Sequence, residues 1–183
     1  MTKPNRNGII FSTGLIGVIV AGFAVQHFVW SGLGAFGLVP RTAWGLIGIF
    51  TMPFLHANFG HLMANLSALV ILLGFMFAFH SKRMPEVVIG VILVGGSLLW
   101  LFGRPAIHVG ASGLIYGLAA FVIVSGIVQK RFFPVAAAIG VAVMYGSSLF
   151  WGLVPVHPGV SWDGHLAGGL AGAFVGRKKG GRR

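Results

Sequence analysis

Cysteine is missing altogether from the 183 residues, and acid is nearly so: Glu86 and Asp163 stand against 13 lysines and arginines. Without cysteine there are no disulfides, no thiol catalysis and no thiolate metal sites. A hard cation wants several carboxylates, and two do not supply them. A His-Glu-x-x-His or His-x-x-x-His pair on one helix would speak for zinc, and neither occurs. No metal or cofactor is therefore expected. Charge as a whole is scarce: 8% of residues carry it, where a soluble domain needs about a quarter to wet its surface. What fills the chain instead is a 56% share of hydrophobic residues. The expected solvent is lipid, and residues 1–183 read as a single membrane domain with short tails at 1–7 and 177–183. No internal repeat or low-complexity tract stands out.

A net charge of +11 suggests nucleic acid until the positions of the charges are considered. Lys3 and Arg6 precede the first apolar run, Lys82 and Arg83 follow the second, and Lys130 and Arg131 follow the fourth. Arg177, Lys178, Lys179, Arg182 and Arg183 close the chain, while only Arg41 and Arg104 fall in the opposite loops. This is the positive-inside bias. It places both termini in the cytoplasm and accounts for the basic residues without a nucleic acid, with anionic headgroups as neighbours of the C-terminal cluster. Six apolar segments are expected as membrane helices, at 8–30, 61–79, 86–102, 112–129, 133–152 and 164–176. The first is long enough to span and no small-x-small site follows it, so it reads as an uncleaved helix. The loops 81–85 and 130–132 are short and make antiparallel neighbours. The loop 31–63, with Pro40, Pro53 and Trp44, reads as an interfacial element.

The polar residues concentrate on the outer side. Ser112 lies in Gly110-Ala111-Ser112-Gly113, where glycines on both sides allow a sharp, open entry into a helix. The free N–H groups of such a helix N-terminus can stabilise a developing oxyanion. A serine hydroxyl needs a base at neutral pH, and His165, at the mouth of the last segment, is the best placed. Gly164, Gly168, Gly172 and Gly176 recur every fourth residue and Gly113 and Gly117 match them, so the fourth and sixth segments are expected to touch and to bring Ser112 near His165. His61 and Asn65 share one helix face, and both can donate hydrogen bonds. Asn65 reads either as part of a polar cavity or as a bond to a neighbouring backbone. His56 is expected to fix its loop by hydrogen bonding. Asp163 precedes His165 by two residues and points elsewhere in a helix, so it reads as an N-cap rather than a third catalytic residue. Tyr116, one turn after Ser112, can stack on His165 or simply pack in the core.

At these residues the chain resembles the rhomboid intramembrane serine proteases in their short, six-helix bacterial form. The family's GxSG motif reads Gly110-Ala111-Ser112-Gly113, its HxxxN motif His61-Leu62-Met63-Ala64-Asn65, and its sixth-helix HxxG motif His165-Leu166-Ala167-Gly168. The resemblance covers the chain from Pro53 to Gly176. It implies an all-α bundle of six transmembrane helices, with Ser112 as nucleophile and His165 as general base, and with no third acid. It also implies an oxyanion hole of His61, Asn65 and the Ser112 N–H, with Tyr116 supporting the histidine. The implied substrates are membrane proteins with a helix-destabilised transmembrane segment, entering sideways from lipid past the loop 154–163 and the fifth segment. The implied location is a bacterial plasma membrane. Two departures stand out: Trp44 is followed by Gly45 where many relatives carry a Trp-Arg pair, and Gly164 replaces the usual alanine before the histidine. The rival readings are an inactive relative that binds membrane helices and a histidine-using transporter.

Overall fold

Helices account for the regular structure among the residues described by the computed structural model, which are 6–130, 132–154 and 159–179. Lys3, Arg131, Arg182, Arg183, Pro155, His157 and Pro158 lie outside them. Helix α1 (Arg6–Ala24) is apolar nearly throughout and runs on through a π turn, Val25–Val29, until Trp30 turns extended. Its few hydroxyls bond back onto their own helix, Ser12 to the Gly8 carbonyl and Thr13 to that of Ile9. In hydrocarbon that is how a side-chain donor avoids going unpaired. After a short helix α2 (Gly45–Thr51), the chain forms α3 (Phe59–His80), α4 (Met84–Phe102), α5 (Ser112–Gln129), α6 (Phe132–Leu153) and α7 (Trp162–Lys179). Each of the expected apolar segments is thus helical, although α1, α3, α4 and α7 begin two residues earlier than hydropathy alone suggests.

Among the described residues, three stretches are long and apolar enough to cross a membrane: Arg6–Val29, Phe59–Phe102 and Ser112–Gln129. The second of these contains 44 residues and folds back on itself at a 3₁₀ turn, Ser81–Arg83, with Pro85 in the first turn of α4. Proline is tolerated there because the first N–H groups of a helix have no intrahelical partner.

Helix α5 forms the axis of the bundle, with Leu118, Ala119 and Phe121 fully buried. It meets α7 backbone to backbone. A methyl group on Gly168 would run into the Gly113 carbonyl, and one on Gly172 into the Gly117 carbonyl. In lipid, apolar burial gives no net drive between helices, so close backbone approach through small residues is what holds such a pair. The four-residue glycine spacing therefore places the start of α7 beside the start of α5.

The loop between α1 and α3 is tied to the end of α4. Arg41, in the left-handed region at φ 58°, donates to the carbonyls of Leu101 and Gly103 at 3.2 and 2.8 Å. Trp100 Nε1 donates to the Thr42 carbonyl at 2.8 Å. Here α2 seats against Leu38, where Gly48 leaves no room for a side chain. Arg41 and Trp100 thus hold the loop in which the Trp-Arg pair is missing.

Candidate active site

The entry into α5 is set by two glycines for two different reasons. Gly110 has φ +115°, a conformation open essentially to glycine, and its N–H donates to the Met52 carbonyl at 2.9 Å. Gly113 lies close enough to α7 that a Cβ there would sit 3.2 Å from the Gly164 carbonyl. Between them, Ser112 is the first residue of α5, and the residue before it makes no side-chain cap. The first N–H groups of the helix are therefore left without intrahelical partners, next to the Ser112 hydroxyl.

His165 sits in the first turn of α7, with its N–H on the Ser161 carbonyl at 2.9 Å. Its Nδ1 is 2.8 Å from the carbonyl of Gly152 at the end of α6. A carbonyl can only accept, so Nδ1 carries the proton and Nε2 presents its lone pair. Tyr116 stacks on the ring at a centroid distance of 4.2 Å with 8° between planes. Gly152 completes the seat: a Cβ there would strike the Tyr116 hydroxyl and lie 3.1 Å from His165 Nδ1.

The third element is α3. Asn58 caps it, its side chain accepting from the His61 N–H at 2.8 Å. The His61 ring leans over Gly110, where a Cβ would meet its Cε1 and Nε2 at 2.6 and 2.7 Å, with Asn65 Nδ2 beyond at 3.6 Å. Asn65 is buried and donates to the His61 carbonyl of its own helix at 3.0 Å. That uses one of its two amide hydrogens, and the bond goes to the preceding turn rather than to a neighbouring helix.

Ser112, His165, Tyr116, His61 and Asn65 line one cavity of about 890 Å³. It runs along α3 past Ala64 and Ala68 to Ile71 and reaches Tyr145 of α6 and Ser161 before α7. No hydrogen bond joins Ser112 Oγ to the His165 ring among the described residues; such bonds commonly tighten only when substrate is bound.

Two sequence expectations are corrected. Asp163 lies inside the first turn of α7 rather than ahead of it, and its Oδ1 accepts the N–H of the next residue, Gly164, at 3.2 Å. The carboxylate also accepts from the Arg104 backbone N–H at 2.8 Å and from the Arg104 guanidinium at 3.2 and 3.3 Å, so a partner 59 residues away shares it with the helix end. His56 is fully buried, yet neither of its ring nitrogens has a partner; only its backbone N–H ties the loop, to the Gln26 side chain at 3.1 Å. Burial pushes the His56 imidazole down to about 4, with the charges of His61 and His27 adding to the shift. Its ring lies edge-on to His61 at 5.1 Å. Gly152, Arg104, Ser161 and Asn58 enter the site region unforeseen. Only Asn58 has a local signal, an asparagine three residues before His61 at a helix start. Among the described residues, no three His, Cys, Asp or Glu side chains converge to hold a metal ion.

A helical bundle with long apolar spans around a cavity that holds a few polar side chains defines an integral membrane protein. A family model for the rhomboid domain matches residues 43–181, and the chain belongs to the rhomboid family, whose members are usually intramembrane serine proteases. Uncharacterised proteins of Mycobacterium bovis and Mycobacterium tuberculosis are each 37% identical to it over 149 residues, covering 76% of this chain and 61% of theirs. One from Mycobacterium leprae is 40% identical over 140 residues, covering 71% of this chain and 55% of its own. The chain thus spans less than two thirds of the length of these relatives.

Proposed function

We propose that this protein is an intramembrane serine endopeptidase working through a Ser112–His165 dyad. The observation that carries the reading is the Gly152 carbonyl on His165 Nδ1, which leaves Nε2 as a base on the same cavity as the Ser112 hydroxyl. In the acylation step Ser112 Oγ bonds to the scissile carbonyl carbon while Nε2 takes its proton. The carbonyl oxygen becomes an oxyanion, held by the Ser112 N–H, His61 and Asn65. Nε2 then gives its proton to the leaving amine as the C–N bond breaks, and water hydrolyses the acyl-enzyme by the same steps. Tyr116 keeps the ring from tilting. Gly110 lets His61 approach, and Gly113 with Gly168 keeps base and nucleophile on neighbouring helices.

The substrates are membrane proteins with a transmembrane segment weakened near the outer face, because a cut needs an exposed carbonyl and an intact helix hides all of its own. Such a segment enters between α3 and α6, past the loop 154–163, of which residues 155–158 lie outside those described. The chain crosses the plasma membrane of a bacterium six times with both termini in the cytoplasm, following its basic loops. Residues 1–183 act as a single domain, and no nucleic acid or cofactor takes part. The test is labelling by a serine-reactive fluorophosphonate in liposomes. The reading expects labelling of wild type that is absent from Ser112→Ala and His165→Ala. Folded wild type that takes no label would leave an inactive, helix-binding relative as the better description.

A further inference from the structure

Outside the dyad, the outer face holds a second polar cluster. Arg104 and His108 come from the loop that leads into α5; Ser161 and Asp163 come from the start of α7. His108 Nε2 lies 3.1 Å from the Arg104 carbonyl and 3.8 Å from the Asp163 carboxylate, and its Nδ1 lies 2.6 Å from Ser161 Oγ. Ser161 Oγ also lies 3.3 Å from Asp163 Oδ1, and the Arg104 guanidinium closes on that carboxylate.

We propose that His108 is a positioning residue which, with Ser161, clasps the loop carrying the nucleophile to the helix carrying the base. The proposal rests on the reading of Ser112 and His165 as the reacting pair. His108 stands four residues before Ser112, and Ser161 four residues before His165, so the bond between them spans the mouth of the dyad. Its anchor is firm. The His108 backbone pairs with Leu38 in both directions, at 2.8 and 2.9 Å, and its side chain is buried. On the other side, the Ser161 carbonyl accepts from the His165 N–H, so a shift of Ser161 is passed to the base. The glycine contacts of α5 and α7 set how closely the helices lie. They are contacts without directional bonds, and the clasp supplies the direction at the outer end.

The proton arrangement suits a permanent fastening. The Arg104 carbonyl requires a hydrogen on His108 Nε2, so in the neutral ring Nδ1 accepts the Ser161 proton. If the ring gains a proton, Nδ1 donates to Ser161 Oγ and the hydroxyl turns to Asp163. Either way the span stays closed.

The experiment is the rate of fluorophosphonate labelling of the full chain in liposomes, paired with its thermal midpoint. Ser161→Ala and His108→Ala are each expected to slow labelling about 3- to 10-fold, the worth of one buried hydrogen bond. Ser161→Ala should do so by more than the small fall in midpoint that one lost hydrogen bond brings, and the double variant should be no slower than His108→Ala alone. His108→Asn, whose amide reaches the Nδ1 position, should restore most of the rate. Wild-type labelling rates in Ser161→Ala, multiplying losses in the double variant, or losses that only follow the midpoint would overturn the clasp. Those results, together with labelling that still needs Ser112, would leave the dyad standing. Wild type that takes no label would remove the dyad and the clasp together.

Discussion

Helix α5 contributes the serine to two serine–histidine pairs, one toward each end, with the histidines on α7 and α3, and the pairs differ in every respect except composition. Toward its C-terminus, Ser125 Oγ lies 3.2 Å from His80 Nε2 and equally far from the Val122 carbonyl, fully buried with the edge of Phe121 against the histidine. At the N-terminus, Ser112 is not bonded to His165, yet both face the 890 Å³ cavity. The bonded pair has nowhere to put a substrate, and the N–H of Ser125 belongs to the middle of a helix. The unbonded pair has a cavity, free N–H groups and a histidine whose tautomer is fixed from behind. Nearness of hydroxyl and imidazole does not make a nucleophile. Access and unspent donors do, and on α5 they occur at the helix start.

The largest expected contrast follows directly. Ser112→Ala and His165→Ala should lower probe labelling and proteolysis by roughly 10³-fold or more, whereas Ser125→Ala should label within about twofold of wild type, since a sealed contact touches no reacting atom. Survival of labelling in Ser112→Ala, or its disappearance in Ser125→Ala, would reverse the assignment of the two ends. Next comes the seam that sets the pair at the helix start. Gly168→Ala or Gly172→Ala should cost roughly 1–3 kcal/mol in unfolding free energy and slow labelling, because the new methyl meets a backbone carbonyl that cannot swing aside. Gly169→Ala, with open space at its Cβ, is the control and should be neutral or slightly stabilising. The sealed pair then has its own cost: Ser125→Ala should destabilise by about 1 kcal/mol by leaving His80 Nε2 without its partner.

The last contrast concerns His56. Its folded value lies near 4 against an ordinary 6.5, so the folded state prefers the neutral ring. The stability this preference contributes is complete above about pH 6.5 and is lost as pH falls toward 4. Thermal midpoints measured across that window should drop in wild type and drop less in His56→Phe. Equal slopes would show that the ring is not kept neutral by burial.

Much of this was legible along the chain because its signals are local. The glycines at 164, 168, 172 and 176 define a bare helical stripe, and the packing of α7 on α5 follows from it. Ser112, His61 and His165 each stand near a helix start, and helix starts can be read from hydropathy and glycine to within a few residues. What stayed hidden were pairings across distance. Nothing beside Asp163 announces Arg104, so a cap was the natural local reading. Nothing near Gly152 announces that its carbonyl meets a histidine thirteen residues on, because the main chain offers the same acceptor everywhere. His56 failed for the opposite reason: a histidine implies hydrogen bonds, and the fold buries this one without any for its ring.

If His165 is the base, as proposed, Gly152 gives it a hereditary footing of its own kind. Where a carboxylate holds a histidine, one nucleotide change can delete it; a backbone carbonyl has no codon of its own and survives any substitution that leaves α6 in place. It also cannot be protonated, so acid does not release the ring from behind. Drift can disable the orienting group only by a clumsier route, adding bulk at a position whose glycine leaves no space beside Tyr116. On the proposed reading, a lineage losing activity is therefore expected to lose Ser112 or His165 first, with the cradle behind the histidine persisting longer.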